Sequence, residues 1–361
     1  MRIGIYDPYL DTLSGGEKYM LTAAACLSEK NDVTIFWDDP SITGSAHKKL
    51  QIDLTRVTVK PNIFSSKVPF SNRLFETKNY DLLLILSDGS LPITLAKKTI
   101  LHFQFPVEWV NADDLITKIK FLKINKIICN SQFTKNFIDK KFHTNSKILY
   151  PPCIFANDLK KISTEKEEKK NIILTVGRYS PLSEGNSIKK IELMIKVFKK
   201  MVDNGLKNWK FIAVVSFLKE NEKYLEKLED EIKSYPIKII KNSGFDELEK
   251  LYRQSKIYWH AAGFGENLEK NPERAEHFGI TTVEAMAHKV VPVVIEKGGQ
   301  PEIVDDNING FLWETEEELI QRTKRLIIDE RLREQMANLA HQKSRQFTVE
   351  KFCEELQKII K

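Results

Sequence analysis

Glu276-His277-Phe278-Gly279-Ile280-Thr281-Thr282-Val283-Glu284-Ala285-Met286 stands between two apolar runs, Lys256-Ile257-Tyr258-Trp259-His260-Ala261 and Val290-Val291-Pro292-Val293-Val294-Ile295, and Gly298-Gly299-Gln300-Pro301-Glu302 closes the stretch. The order is strand, polar loop, helix start, strand, glycine loop. Such an order builds a ligand pocket at the carboxyl ends of parallel strands. The capping-box spacing of Thr281 and Glu284 predicts a helix beginning near Thr281. The first amides of that helix, in Gly279-Ile280-Thr281-Thr282, are then open to a phosphate. Glu284 is a plain cap on the alternative reading. Two glutamates eight positions apart carry little by themselves; the glycine, threonines and flanking strands give the stretch its meaning.

The same alternation extends in both directions. Apolar runs at 3–6, 33–37, 82–86, 100–105, 127–129 and 148–150 alternate with helical stretches. A second series runs through 172–176, 211–216, 237–240, 257–261, 291–295 and 310–313. Continuous apolar strands between helices indicate a doubly wound α/β sheet, buried on both faces. The pattern occurs twice, so the expected architecture is two Rossmann-like domains facing a cleft. The charged patch 160–170, after Tyr150-Pro151-Pro152, is the expected hinge. Domain limits are placed at 1–155 and 156–345. The amphipathic segment 349–360, with Phe352, Leu356 and Ile359 on one side, lies within a C-terminal helical region 346–361.

Three further groups sit at expected strand ends. Leu13-Ser14-Gly15-Gly16-Glu17 follows the first strand, and Ser14 and Glu17 have capping-box spacing. Gly15 and Gly16 let an anion approach the backbone, or else form a tight turn with nothing bound. His102, in Ile100-Leu101-His102-Phe103-Gln104-Phe105-Pro106, either hydrogen-bonds a sugar hydroxyl or is a satisfied core histidine. Gly177-Arg178 closes the first strand of the second series, with Lys189 and Lys190 after an irregular loop. Guanidinium and ammonium together can hold a diphosphate, one as a fork and one as a point charge.

Composition narrows the classes. The chain has 361 residues, 42% of them hydrophobic, enough for two ordinary domains with real cores. No apolar run approaches a bilayer span, and Met1-Arg2-Ile3-Gly4-Ile5 resembles a first strand rather than a signal peptide. Four scattered cysteines (Cys26, Cys129, Cys153, Cys353) without a CxxC pair predict a reduced, cytoplasmic protein with no structural zinc. No carboxylate cluster has metal-ligand spacing, so neither metal nor cofactor is expected. Of the net charge of +6, the first 155 residues carry 20 basic and 15 acidic side chains, a surplus of five. Residues 118–147 hold eight lysines and one acid, Asp139. Such a face is a solvated lysine surface, or it meets anionic lipid at the inner membrane face or an anionic acceptor. Nucleic acid is not expected, since no aromatic-interleaved basic motif occurs.

Taken in order, these residues resemble the retaining glycosyltransferases of family 4, which have the two-Rossmann GT-B fold. The resemblance runs through Ser14-Gly15-Gly16, His102, Asn130-Ser131-Gln132-Phe133-Thr134, Tyr150-Pro151-Pro152, Gly177-Arg178, Glu276 to Glu284, and Gly298-Gly299-Gln300-Pro301-Glu302. It implies a nucleotide-diphosphate sugar donor, GDP-mannose or a UDP-sugar, and an acceptor hydroxyl on a glycan or lipid carrier. Glu276 is then expected at hydroxyls of the donor sugar and Glu284 at the ribose. Arg178 with Lys189 or Lys190 is expected at the diphosphate, with amides around Gly16 and from Phe278 through Gly279 and Ile280 to Thr282. His102 is expected beside the sugar, and the last helix on the N-terminal domain. Three features depart from the family pattern: residues 180–188 separate the lysines from Arg178, Ala287-His288-Lys289 replaces a small residue and glycine, and a long charged loop fills 263–275. Such a loop is expected to move on binding. Other readings of the same residues are a glycosidase using Glu276 and Glu284, a nucleotide-sugar epimerase or inverting transferase on the same fold, and a non-catalytic nucleotide-sugar-binding protein.

Overall fold

The computed structural model describes the whole chain except residues 14, 165–167 and 184–185. The expected Ser14–Glu17 capping box and the centre of the expected hinge lie outside the described residues. The chain divides into two compact units, Met1–Pro152 with Val349–Lys361, and Cys153–Thr348.

Unit 1 carries strands β1 (Arg2–Tyr6), β2 (Asp32–Phe36), β3 (Val57–Lys60), β4 (Leu82–Leu86), β5 (Lys98–Phe103), β6 (Lys126–Cys129) and β7 (Lys147–Ile148). They form one parallel sheet in the order β3-β2-β1-β4-β5-β6-β7. Its helices are α1 (Gly15–Ser28), α2 (Ile42–Leu50), α3 (Phe70–Thr77), α4 (Leu115–Phe121) and α5 (Gln132–Phe142). Strand β4, Leu-Leu-Leu-Ile-Leu, is buried at every position because helices cover both sheet faces. Strand β3 was not expected; its half-buried, alternating Val-Thr-Val-Lys is the signature of an edge strand, too polar to show as an apolar run.

Unit 2 opens with α6 (Ala156–Thr164) and β8 (Ile172–Arg178), then a small hairpin, β9 (Pro181–Ser183) and β10 (Asn186–Ser187). There follow α7 (Ile191–Asp203), β11 (Lys210–Ser216), α8 (Glu222–Ile232), β12 (Ile237–Lys241), α9 (Phe245–Gln254) and β13 (Ile257–His260). The last part is α10 (Ile280–Ala287), β14 (Val291–Ile295), α11 (Gln300–Ile303), β15 (Phe311–Trp313), α12 (Glu316–Ile328) and α13 (Glu330–Ser344). The six-stranded sheet is parallel in the order β12-β11-β8-β13-β14-β15. Strand order reverses between β1 and β4 in unit 1 and between β8 and β13 in unit 2. Helices on either side of such a reversal diverge, leaving a crevice at the strands' carboxyl ends where ligands of this architecture bind.

The final helix, α14 (Val349–Ile360), belongs to unit 1. Phe352, Leu356 and Ile359 are buried in its core, and Phe352 meets Tyr19 of α1 edge-on. That packing corrects the expectation for the cysteines. Cys26 and Cys353, 327 positions apart, are bonded, with their Cα atoms 5.6 Å apart. Sequence distance hid a pair that the α1–α14 contact brings within disulfide reach. Cys129 and Cys153 are buried and form no disulfide.

Candidate active site

In unit 2 the switch crevice lies between the ends of β8 and β13, and Gly177-Arg178 and His260 stand at those two ends. Glu276 follows the loop after β13. Its Oε2 receives Lys189 Nζ at 2.5 Å and lies 2.9 Å from His260 Nε2. Burial pushes the Glu276 carboxyl upward, but Lys189 and His260 outweigh it and hold it well below the usual carboxylate range. Burial also lowers the His260 imidazole, so the ring is neutral at pH 7 and its Nε2–H donates to the carboxylate. Gly177 gives the Lys189 stem room beside the strand end. A Cβ there would fall 3.1 Å from Lys189 Cγ, so the missing side chain leaves the lysine stem its path to Glu276. Arg178 is exposed at the strand end and has no ion pair among the described residues.

The backbone of Glu276–Gly279 is fixed by the glycine loop. Gly299 N–H donates to Glu276 O at 2.8 Å. A Cβ on Gly298, whose φ is +64°, would fall 2.2 Å from Glu276 O, and one on Gly299 2.6 Å from both His277 O and Phe278 Cα. Gly279, at φ +122°, precedes α10, and no side chain caps that helix. The expected Thr281–Glu284 capping box is therefore absent. The helix starts one residue earlier, and the two side chains are taken elsewhere: Thr281 Oγ1 is 2.7 Å from Tyr258 Oη, and Tyr252 Oη donates to Glu284 Oε2 at 3.1 Å. Thr282 Oγ1 donates to Gln300 Oε1 at 2.9 Å, while Gln300 Nε2 is buried without a partner beside Gly279. The threonine hydroxyls thus hold the helix in place. What α10 offers a ligand is backbone, the Ile280 and Thr281 amides with no capping side chain, at the positive end of the helix dipole; the Thr282 N–H already donates to Gly279 O at 3.0 Å.

Lys189 and Lys190 part company. Lys190 adopts φ +55° as the N-cap of α7 and sends its ammonium to Asn186 Oδ1 at 2.7 Å and Glu266 Oε1 at 2.5 Å. Both ends of the Lys190–Glu266 pair are buried, at 8% and 9% exposure. Arg274 Nη1 donates to the other oxygen of Glu266 at 3.0 Å, and Lys297 Nζ to its carbonyl at 3.4 Å. The 263–275 loop, expected to move, is tied at Glu266 to the β10–α7 turn.

In unit 1, α1 starts at Gly15 just past β1. The side chain next to that start is Gln104, whose Nε2 donates to Gly16 O at 3.0 Å; a Cβ on Gly16 would fall 2.4 Å from Gln104 Oε1. His102, expected in the site, is enclosed instead. It has no exposed surface, stacks on Tyr19 at 3.9 Å, and places Nδ1 3.3 Å from Ile128 O. Burial pushes it down to about 3. Two positions later the same strand face has passed the sheet edge, so Gln104 reaches the glycine turn and His102 does not. Asp7, at the end of β1, is fully buried, accepts Tyr9 N–H at 2.8 Å with one oxygen and leaves the other unpartnered. Burial raises it to about 7, against the Tyr9 bond, with Glu17 and Asp11 adding to the rise.

Sequence reasoning passed over His260, Gln300, Glu266 and Gln104. His260 and Gln300 lay inside the quoted stretch, at a strand end and in the glycine loop, and that position was the available signal. No group of three His, Cys, Asp or Glu among the described residues is placed to hold a metal.

An uncharacterized glycosyltransferase of Methanocaldococcus jannaschii is 26% identical over 229 residues, 63% of this chain and 56% of that protein. A Campylobacter jejuni α-1,4-N-acetyl-D-galactosaminyltransferase, named for a sugar chain on PP-undecaprenol, is 22% identical over 223 residues, 61% of this chain and 56% of its own. The matches thus span about half the length of these curated relatives. The crystal structure of Anabaena HepE in complex with UDP and glucose superposes with a TM-score of 0.70 at 18% identity, covering 100% of this chain and 99% of that one. It shares the two-domain GT-B fold. The family described as glycosyl transferases group 1 matches residues 157–343, which contain β8, Lys189, Glu276 and α10. The chain belongs to the group 1 glycosyl transferases.

Proposed function

We propose that this protein is a retaining glycosyltransferase of family 4 that moves a sugar from a nucleotide-diphosphate donor, GDP-mannose or a UDP-sugar, to an acceptor hydroxyl in glycan, glycolipid or polysaccharide synthesis. The observation that carries the reading is the Lys189–Glu276–His260 cluster beside the uncapped N-terminus of α10. A diphosphate has a natural seat there, on α10 amides, Arg178 and Lys189. Gly15 and Gly16 supply amides from unit 1, the acceptor domain on this reading; unit 2 is the donor domain. When the donor binds, Lys189 exchanges its pair with Glu276 for the phosphate. Glu276 Oε2 stays on His260, and the other carboxylate oxygen, Oε1, takes the sugar hydroxyls. Glu284, held by Tyr252, takes the ribose. In unit 1 Gln104, not His102, reaches the glycine turn at Gly16.

A diphosphate leaves readily once its charge is met. Catalysis then rests on fixed positive charge and amide dipoles, with no metal or cofactor required. The acceptor hydroxyl attacks the face from which the diphosphate departs and passes its proton to the leaving phosphate oxygen, so configuration is kept. The C. jejuni relative's PP-undecaprenol supports a lipid-linked acceptor, and the basic surface of unit 1 supports contact with an anionic membrane face.

The test is a thermal-shift screen against nucleotide-diphosphate sugars, followed by nuclear magnetic resonance of the product made from the donor that stabilises. Expected are stabilisation by one donor and an anomeric configuration matching that donor. Inversion, or unchanged turnover in Glu276→Ala and Arg178→Ala variants, contradicts the assignment.

A further inference from the structure

Helix α4 is inside out for a globular protein. Four large aliphatic side chains, Leu115, Ile116, Ile119 and Leu122, are 70%, 62%, 53% and 83% exposed. At 3.6 residues per turn they share one arc of about 120°. The opposite face, with Phe121 and Ile124, is the one packed on the core, where Phe121 stacks on Phe142 at 4.7 Å. An amphipathic helix normally buries its apolar stripe; here the stripe is outside, and contiguous exposed apolar surface marks an interaction site.

Charge identifies the partner. Lys118 and Lys120 border the stripe on either side and Lys123 lies within it. Lys118 has one exposed acid, Asp113, 3.6 Å away at the helix start. Behind the helix is a cavity of about 410 Å³ between α3 and α4, lined by Phe70, Arg73, Thr117 and Lys120 among others. Arg73 Nε is buried there without a partner, and Phe70 is 48% exposed. Aliphatics ringed by lysines, beside a niche where the Arg73 guanidinium lies over the Phe70 ring with its Nε unpartnered, match the layered chemistry of a bilayer surface: acyl chains below, phosphate above.

We propose that α4 is the element by which unit 1 docks on an anionic lipid bilayer, with the stripe in the interfacial layer and Lys118, Lys120, Lys123 and Arg73 on head-group phosphates. This rests on the membrane-facing reading above and names the surface responsible. No helix among the described residues is long and apolar enough to cross a membrane, so the contact is peripheral.

The test is co-sedimentation of the full chain with phosphatidylcholine vesicles, with and without about a third phosphatidylglycerol. The native protein is expected to sediment with the anionic vesicles only. Leu115→Ser with Ile119→Ser should weaken this at least about tenfold, and Lys118→Gln with Lys123→Gln should remove the preference for anionic lipid. These side chains are exposed, so unchanged melting confirms folding, and unchanged nucleotide binding separates docking from the donor site. Native protein that sediments with neither vesicle, or equally with both, overturns the proposal. So does a serine variant that binds like the native chain, or a stripe that only drives self-association in sedimentation velocity. Failure of the transferase reading would appear separately, as no donor binding with vesicle binding intact.

Discussion

Two adjacent lysines show how much one backbone dihedral decides. In the sequence Lys189 and Lys190 are equivalent, and either could meet a diphosphate. The left-handed conformation of Lys190 turns it toward Glu266 and leaves Lys189 at Glu276. Their substitutions should therefore fail differently. Lys189→Ala is expected to lower kcat/KM by about a hundredfold or more, the scale of losing one transition-state charge partner, with a smaller loss of stability than Lys190→Ala, because this pair is 24% and 18% exposed and Glu276 keeps His260. Lys190→Ala leaves the buried Glu266 with Arg274 alone and is expected to cost about 3 kcal/mol of stability, read by urea unfolding. Strand-end position points to residues of this kind, but a φ angle set by the turn at Ser187 does not show in residue type. The same limit applies to His102 and Gln104, two positions apart on one strand, where the exact end of the sheet selects which side chain emerges.

Elements carry the next level. Strands buried on both faces were legible because they are continuous apolar runs, and the expected runs match observed strands in both sheets. Edge strand β3 was not, because its alternation is that of a half-buried strand. The start of α10 was approximately legible, yet its capping box was not formed, since Tyr258 and Tyr252 compete for Thr281 and Glu284 from neighbouring elements. The glycine loop holds this helix start. Gly299→Ala is expected to push on the His277–Phe278 backbone, cost about 1–3 kcal/mol, and weaken nucleotide binding more than Gly205→Ala, where a Cβ meets nothing within 4 Å. Because Gly205 has φ +93°, that control carries its own local strain, and melting should be compared alongside binding. The α1–α14 link makes a second expectation at this scale. Thiol titration of the unfolded chain without reductant should find two thiols, those of Cys129 and Cys153, and reduction should lower stability by about 2–4 kcal/mol. Four free thiols contradict the bond.

Across the whole molecule, buried titratable groups set the response to acid. Burial lowers His277 and His288 to about 4 in unit 2, and lowers His260 as well. An unfolded histidine titrates near 6.5, so below that pH the unfolded chain takes up protons first and stability falls. At pH 5 each of His277 and His288 costs about 2 kcal/mol. Unit 1 is balanced. His102, lowered to about 3, costs a similar amount. Asp7, raised to about 7, binds its proton first in the folded state, so acidification from pH 7 to 5 returns about 2 kcal/mol. Hydrogen-exchange protection, corrected for intrinsic pH dependence, should therefore fall first in residues 153–348. Equal loss in both units contradicts this. The doubly wound class and the strand-end positions of the candidate residues were readable from periodicity. The ion-pair partners of Lys189 and Lys190 were not, because they lie 87 and 76 positions away in the chain.

The central claim is that the Lys189–Glu276 cluster at the start of α10 receives a nucleoside diphosphate. Calorimetric titration of UDP and of GDP into the native chain and into Lys189→Gln tests it most directly. One of the two nucleotides is predicted to bind the native protein, and to bind the variant at least about tenfold more weakly, a loss of about 1.4 kcal/mol or more. Binding of neither nucleotide, or equal affinity in both proteins, contradicts the account.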